Sequence, residues 1–292
     1  MISSPQKIAL GTVQFGLPYG VANQTGQIAL EEAFRIIETA RKAGVDTIDT
    51  AAAYGTSEKQ LGTIGVSGFK IISKLPPIPK DQSDIEKWVF KTIETSLKDL
   101  RVEKIHGLLL HRPEDLLSKQ GTTISRTLQK LRSEGLVSKT GLSLYKVHDI
   151  EHFCTLLPID IIQTPFNLID RSLVNQGTLQ HLKDHQIEVH VRSIFLQGVL
   201  LLPETARPSY FSNWNYIWES WHSWLKHNSA SPAQACLKYV QSFPQIDRIV
   251  IGCDSLQQFK ETLSCAKQDP ISDFPDISSQ DEDLIDPSRW NL

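Results

Sequence analysis

The sequence is sparing with the residues that build metal centres and disulfide frameworks. Its four cysteines, Cys154, Cys236, Cys253 and Cys265, form no CxxC pair and no zinc-ligand spacing, and its nine histidines are scattered without an HExxH motif. Zinc catalysis is therefore disfavoured, no metal site is expected, and the thiols read as reduced, mostly buried groups of a cytoplasmic protein. Long apolar runs are also missing. The longest candidates, such as "GVLLL" at 198–202, fall far short of the ~20 residues a membrane span needs. The opening "MISSPQKIALG" has no secretory core. No run of basic residues occurs and the formal charge is only −3, so neither a nucleic-acid nor a membrane partner is expected. What remains is the composition of an ordinary globular chain, 40% hydrophobic against 22% charged.

Short apolar runs alternate with amphipathic stretches along the 292 residues. Strands are expected at 8–12, 45–49, 69–74, 107–111, 140–143, 160–163, 188–193 and 248–251. Helices are expected between and after them, at 30–43, 58–63, 85–100, 122–134, 147–156, 172–185, 232–242 and 256–266. Ser231-Pro232 supplies a helix start and Gly44 a helix stop. Eight strands each followed by a helix point to a closed (β/α)8 TIM barrel, which buries both faces of a parallel sheet. No strand-order argument excludes an open doubly wound sheet, so the count carries the case. With no linker rich in Gly, Pro or Ser, the chain reads as one domain over 1–292: a barrel at about 6–266 and an acidic tail at 267–292. An aromatic-rich insert, 203–230, follows strand seven.

Catalytic groups in such barrels sit at the C-terminal ends of strands and in the loops after them. Strand two ends "TIDT", giving Asp49, with Tyr54 in the following loop; strand three ends "IISKLP", giving Lys74; strand four ends "LLLHRP", giving His111. Each residue alone has an ordinary structural explanation. Together, on three consecutive strands, they put a carboxylate, a phenol, an ammonium and an imidazole at one mouth. A free tyrosine, with a pKa near 10, donates protons sluggishly at neutral pH, and a nearby ammonium favours its phenolate. At ~4 Å and an effective dielectric of ~20, that charge is worth roughly 4 kcal/mol. Asp49 would hold Lys74 charged and aimed at Tyr54, and His111 would orient a substrate oxygen. An acid and carbonyl-polarising groups without an obvious nucleophile suit hydride transfer from a nicotinamide.

These residues resemble the aldo-keto reductase family, whose members use an Asp, Tyr, Lys, His tetrad on a (β/α)8 barrel. "LGTVQFG", "DTIDTAAAYG", "SLKDL" with "LLLHRP", "GLSLY", "IIQTPFNLIDR" and "VIGCDSLQQFKETL" follow the family order over about 6–266. The resemblance implies an NAD(P)H-dependent oxidoreductase with Asp49, Tyr54, Lys74 and His111 as its catalytic set. Its substrate would be a small carbonyl compound, an aldehyde or ketone. It further implies cofactor contacts at Gly11 and Thr12, at Ser143 and Gln163 for the carboxamide, and at Arg192, Ser193 and Gly198 in "RSIFLQG". The remaining contacts it implies lie in the loop and helix carrying Gly252, Asp254, Gln258 and Glu261, where a helix N-terminus offers N–H groups to anions.

The chain departs from the family pattern at three places. Leu144 stands where the family commonly has Asn, Arg192 where an aromatic ring often stacks on the nicotinamide, and Asp254 where a basic or hydroxyl group often meets a 2′-phosphate. The family leans to NADP(H); the Asp254 carboxylate would repel that phosphate and so admits NAD(H). Arg192 could stack through its guanidinium or bind an anionic substrate. Two other readings stay open: a nicotinamide-binding regulatory or scaffolding subunit with little turnover, and a Schiff-base lyase using Lys74. The insert, with Trp214, Tyr216, Trp218, Trp221 and Trp224, suits either an amphipathic helix packed on the barrel or a wall of the pocket for a sugar or sugar derivative.

Overall fold

The structure, a computed structural model, describes residues 7–145 and 150–292; the expected helix start at 147–149 and the N-terminal 1–6 lie outside the described residues. Eight parallel strands close into a barrel in chain order: β1 Ile8–Gly11, β2 Thr47–Asp49, β3 Lys70–Leu75, β4 Ile105–Leu110, β5 Val137–Ser143, β6 Ile161–Pro165, β7 Glu188–Arg192 and β8 Arg248–Ile251. The eighth strand pairs back onto the first, with Ile8 opposite Ile249, so the sheet has no free edge. The helices are α1 Val13–Gly16, α2 Leu30–Lys42, α3 Ser57–Ile64, α4 Ile85–Leu100, α5 Gly121–Ser133, α6 Ile150–Leu156, α7 Thr178–Asp184, α8 Asn215–His227, α9 Pro232–Gln241, α10 Leu256–Lys267 and α11 Glu282–Ile285. Among the described residues, no helix is long and apolar enough to cross a membrane.

Each expected strand and helix is present, with ends displaced by a few residues. The largest change lies at 172–185, where a 3-10 segment, Ser172–Gly177, precedes α7. Gly177 turns the chain there with φ +76°. The expected punctuation is in place: Ser231 caps α9 by accepting from the Gln234 N–H, and Gly44 leaves α2 at φ +79°.

Side chains alternate across each strand, so the sheet separates two cores. Ile72, Leu109 and Ile161 form a small cluster of their own, while the large cluster packs strands against helices. Gly107 lies against the small one: a Cβ there would lie 2.7 Å from the Ile72 and 2.8 Å from the Ile161 side chain. Glycine is what lets both isoleucines fill the barrel interior. That apolar layer is the floor on which the polar strand ends rest.

The insert supplies α8, which buries Ile217, Trp218, Trp221 and Leu225 on one face. Trp221 and Trp224 stack with centroids 6.1 Å apart, and Trp224 stacks in turn on Phe274 of the tail. The tail wraps this surface. Trp214 donates to Asp281, Arg171 to the Pro275 carbonyl, and Trp290 meets Phe211 edge-on at 5.0 Å. The helical spacing of the tryptophans is thus that of a packed helix.

Candidate active site

The two-residue period carries the interior layer upward into the polar one. Asp49 follows Thr47 on one face of β2, Lys74 follows Ile72 on β3, and Gln163 follows Ile161 on β6. Lys74 donates to Asp49 Oδ1 at 2.6 Å and to the Thr50 carbonyl at 3.0 Å, with both side chains of the ion pair buried. The second Asp49 oxygen accepts from Gln163 Nε2 at 2.6 Å. Burial pulls the Lys74 pKa down, but the Asp49 carboxylate and the Tyr54 phenol more than offset it, so the ammonium is held above its ordinary value.

Tyr54 is positioned by a tight turn after β2. Its N–H donates to the Ala51 carbonyl, and its own carbonyl accepts from Ser57 at the start of α3. Gly55 continues the chain at φ +55°. A Cβ on Gly16 would fall 1.7 Å from the Tyr54 carbonyl oxygen. The turn therefore docks on bare backbone at Gly16. This brings the phenol ring to 5.0 Å, centroid to Lys74 Nζ, and sets it edge-on to His111 with centroids 6.0 Å apart. His111 lies one residue beyond β4, and burial, then the Lys74 and Arg192 charges, lower its pKa to about 4. The imidazole is therefore neutral at pH 7. Its Nδ1 is buried without a partner. A lone orphaned acceptor costs less than an orphaned N–H, so we assign the proton to Nε2.

Asp49, Tyr54 and His111 line one cavity of about 910 Å³, together with every residue expected to touch a cofactor: Gly11, Thr12, Ser143, Gln163, Arg192, Ser193, Gly198, Gly252, Asp254, Gln258 and Glu261. Lys74 stands behind this lining. The volume is near the top of the usual range for ligand pockets, roughly 300–1,000 Å³. Besides His111 Nδ1, two buried amide oxygens in the lining, Gln163 Oε1 and Gln14 Oε1, have no partner. Such atoms are what an amide-bearing or hydroxyl-bearing ligand would satisfy. Arg192 lays its guanidinium on Tyr145, 4.3 Å from the ring centroid, and donates to the Leu144 carbonyl at 3.3 Å. Ser193, Leu196 and Gln197 all have positive φ (55°, 47° and 54°), a strained run at the cavity wall.

Sequence reasoning missed Gln14, Tyr19, Asn23 and Tyr145, which also line the cavity. Only Tyr145, two residues after Ser143, had a local signal, as an aromatic just past a strand end. The insert 203–230 contributes nothing to this lining. At the α10 N-terminus, several of the N–H groups expected to face anions already have partners within the chain. Leu256 N–H donates to Glu32 Oε1 at 2.8 Å, Gln258 N–H to Ser255 Oγ at 3.2 Å, and the preceding Asp254 N–H to Gln258 Oε1 at 2.8 Å.

Comparison with known proteins identifies the family and the fold. The family model described as "Aldo/keto reductase family" matches residues 7–279. Among curated proteins, the chain is 25% identical over 178 residues to the aldo-keto reductase YhdN of Bacillus subtilis, covering 56% of this chain and 53% of that protein. It is 24% identical over 281 residues to the human aflatoxin B1 aldehyde reductase member 2, covering 78% of this chain and 75% of the relative. Among solved structures, the holo form of the aldo-keto reductase AKR11C1 from Bacillus halodurans shares the fold, with a TM-score of 0.72 at 17% identity over 91% of this chain and 88% of that one. With a barrel, a strand-end layer of the expected composition and a family match across nearly the whole length, the chain belongs to the aldo/keto reductase family, whose members are NAD(P)H-dependent oxidoreductases acting on carbonyls.

Proposed function

We propose that this protein reduces an aldehyde or ketone to the alcohol, with Tyr54 as proton donor and a nicotinamide dinucleotide in the cavity it shares with His111. The observation that carries this reading is the buried Lys74 ammonium, fixed by Asp49 and lying against the Tyr54 ring. When bound, the dinucleotide would supply the hydride. Ser143 and the unpartnered Gln163 Oε1 suit a carboxamide, and Arg192, Ser193, Gly198 and the 252–261 segment would hold the rest. The neutral His111 donates its Nε2–H to the carbonyl oxygen and orients it. Tyr54 gives that oxygen its proton, and Lys74 stabilises the charge left on the phenol oxygen. Asp49 and Gln163 hold Lys74 in place.

Lys74 is a poor Schiff-base nucleophile here, because it is protonated, spends donors on Asp49 and Thr50, and stands behind the cavity lining. No observation favours a non-catalytic subunit. The aromatic ground for a sugar substrate falls away, because α8 packs elsewhere. The name of the human relative, an aflatoxin B1 aldehyde reductase, supports aldehydes as the first substrates to try. Tyr54→Phe removes the proton and leaves the ring. Turnover of an aldehyde should fall by about 10²–10⁴-fold, while nucleotide binding, followed by reduced-nicotinamide fluorescence, persists. Unchanged turnover in this variant would refute the assignment.

A further inference from the structure

We infer that the cavity selects NADH over NADPH, because Glu32 occupies the phosphate-seeking end of α10 and Asp254 lies beside it. The inference rests on the reading of the cavity as a nicotinamide-dinucleotide site. A helix N-terminus attracts anions through its unpaired N–H groups and its dipole. In α10 that position holds one of the protein's own carboxylates. Glu32 reaches across from α2 and accepts from Leu256 N–H at 2.8 Å. Ser255 takes the Gln258 N–H as the cap, and the Gln258 side chain takes the Asp254 N–H. Three of the N–H groups that could meet a phosphate monoester are thus already taken, one of them by a negative charge.

The surrounding charges act in the same direction. Asp254, Glu261 and Gln258 line this part of the cavity. Burial raises the Asp254 pKa, while hydrogen bonds from Gln258 and Gln14 oppose that rise and stabilise the carboxylate. Asp254 and Glu32 both act on the lining thiol Cys253, whose pKa burial already pushes up. Arg35 approaches Glu32 only at 3.6 Å and binds Glu31 more closely, at 2.6 Å. Lys238 donates to the Ala266 carbonyl and does not line the cavity.

Among the described residues, Arg192 is the only lysine or arginine that lines the cavity, and it is stacked on Tyr145 after β5, beside His111. A ribose hydroxyl can donate to a carboxylate. A 2′-phosphate adds close to two negative charges, accepts hydrogen bonds only, and meets the Glu32 and Asp254 carboxylates at α10 with no spare cation among the described lining residues. The departure at Asp254 is thus one half of a pair. The other half, Glu32, lies 222 residues earlier in the chain and becomes visible only in the fold.

The test is direct titration of the purified protein with NADH and with NADPH, following nicotinamide fluorescence, so that no substrate is needed. NADH should bind at least about tenfold more tightly. Glu32→Gln keeps an acceptor for the Leu256 N–H and removes the charge, and Asp254→Asn does the same at its own position. Each should shift the NADPH-to-NADH affinity ratio toward NADPH by several-fold. Equal or tighter binding of NADPH by the wild type, or an unmoved ratio in both variants, overturns the selectivity and leaves the reductase reading standing. Failure of both nucleotides to bind overturns the reductase reading, and the selectivity with it.

Discussion

Lys74→Met separates the two things the buried ammonium does. Lys74 and Asp49 pair at 2.6 Å with their side chains 1% and 5% exposed, and Gln163 holds the other Asp49 oxygen. At 2.6 Å and an effective dielectric of ~20, the attraction is about 6 kcal/mol. Relief of the lysine's own desolvation returns part of that, and methionine keeps most of the packing. The charge left on Asp49 is then buried against one amide, and breaking such a pair from one side costs about 3–5 kcal/mol. We expect Lys74→Met to lose about 3 kcal/mol at pH 8, read as a thermal midpoint lower by roughly 5–10 °C. An unpaired buried carboxylate binds its proton more tightly folded than unfolded, so the gap from wild type should narrow as the pH falls. Adding Asp49→Asn removes the orphaned charge and should restore most of the stability. It should not restore turnover, because Tyr54 still lacks its cation. Recovery of turnover in the double variant, or a single variant as stable as wild type, would refute the reasoning.

His111 provides a pH test with a definite sign. Its folded pKa of about 4 lies below the ordinary 6.5, so the unfolded chain takes up a proton first as the solution is acidified. The stability it contributes is complete above pH 6.5 and is lost between there and about pH 4, by at most about 3 kcal/mol. In His111→Asn the slope of unfolding free energy over that window should flatten; an unchanged slope would locate the titration elsewhere. At Gly16, alanine would drive a methyl to within 1.7 Å of the Tyr54 carbonyl oxygen, far inside van der Waals contact. Gly16→Ala should therefore lose about 1–3 kcal/mol on urea unfolding and lower kcat by displacing the phenol. Wild-type kcat in that variant would mean the turn is not held by this contact.

The parts of this protein that could be read in sequence were those whose cause is local. A parallel strand buried on both faces is a short apolar run, and the residue that breaks the run marks the barrel mouth; Asp49, Lys74 and His111 each announce themselves in this way. The two-residue period then fixes which side chains share the interior with Ile72, Leu109 and Ile161. What stayed hidden depends on contacts between distant segments. Nothing near Glu32 distinguishes it from Glu31, yet Glu31 pairs with exposed Arg35 while Glu32 caps a helix 224 residues away. Gly16 looks like any loop glycine until its missing side chain is found to hold the Tyr54 turn. The insert admitted two readings, a pocket wall or a packed helix, and the periodicity of its tryptophans matched the packed helix that forms. Periodicity reports which face is buried, but not against what. Assigning a ligand to an aromatic cluster therefore requires knowing which way the element faces, and here that depends on Phe274 and Trp290 of the tail, which cover the insert from outside the barrel repeat.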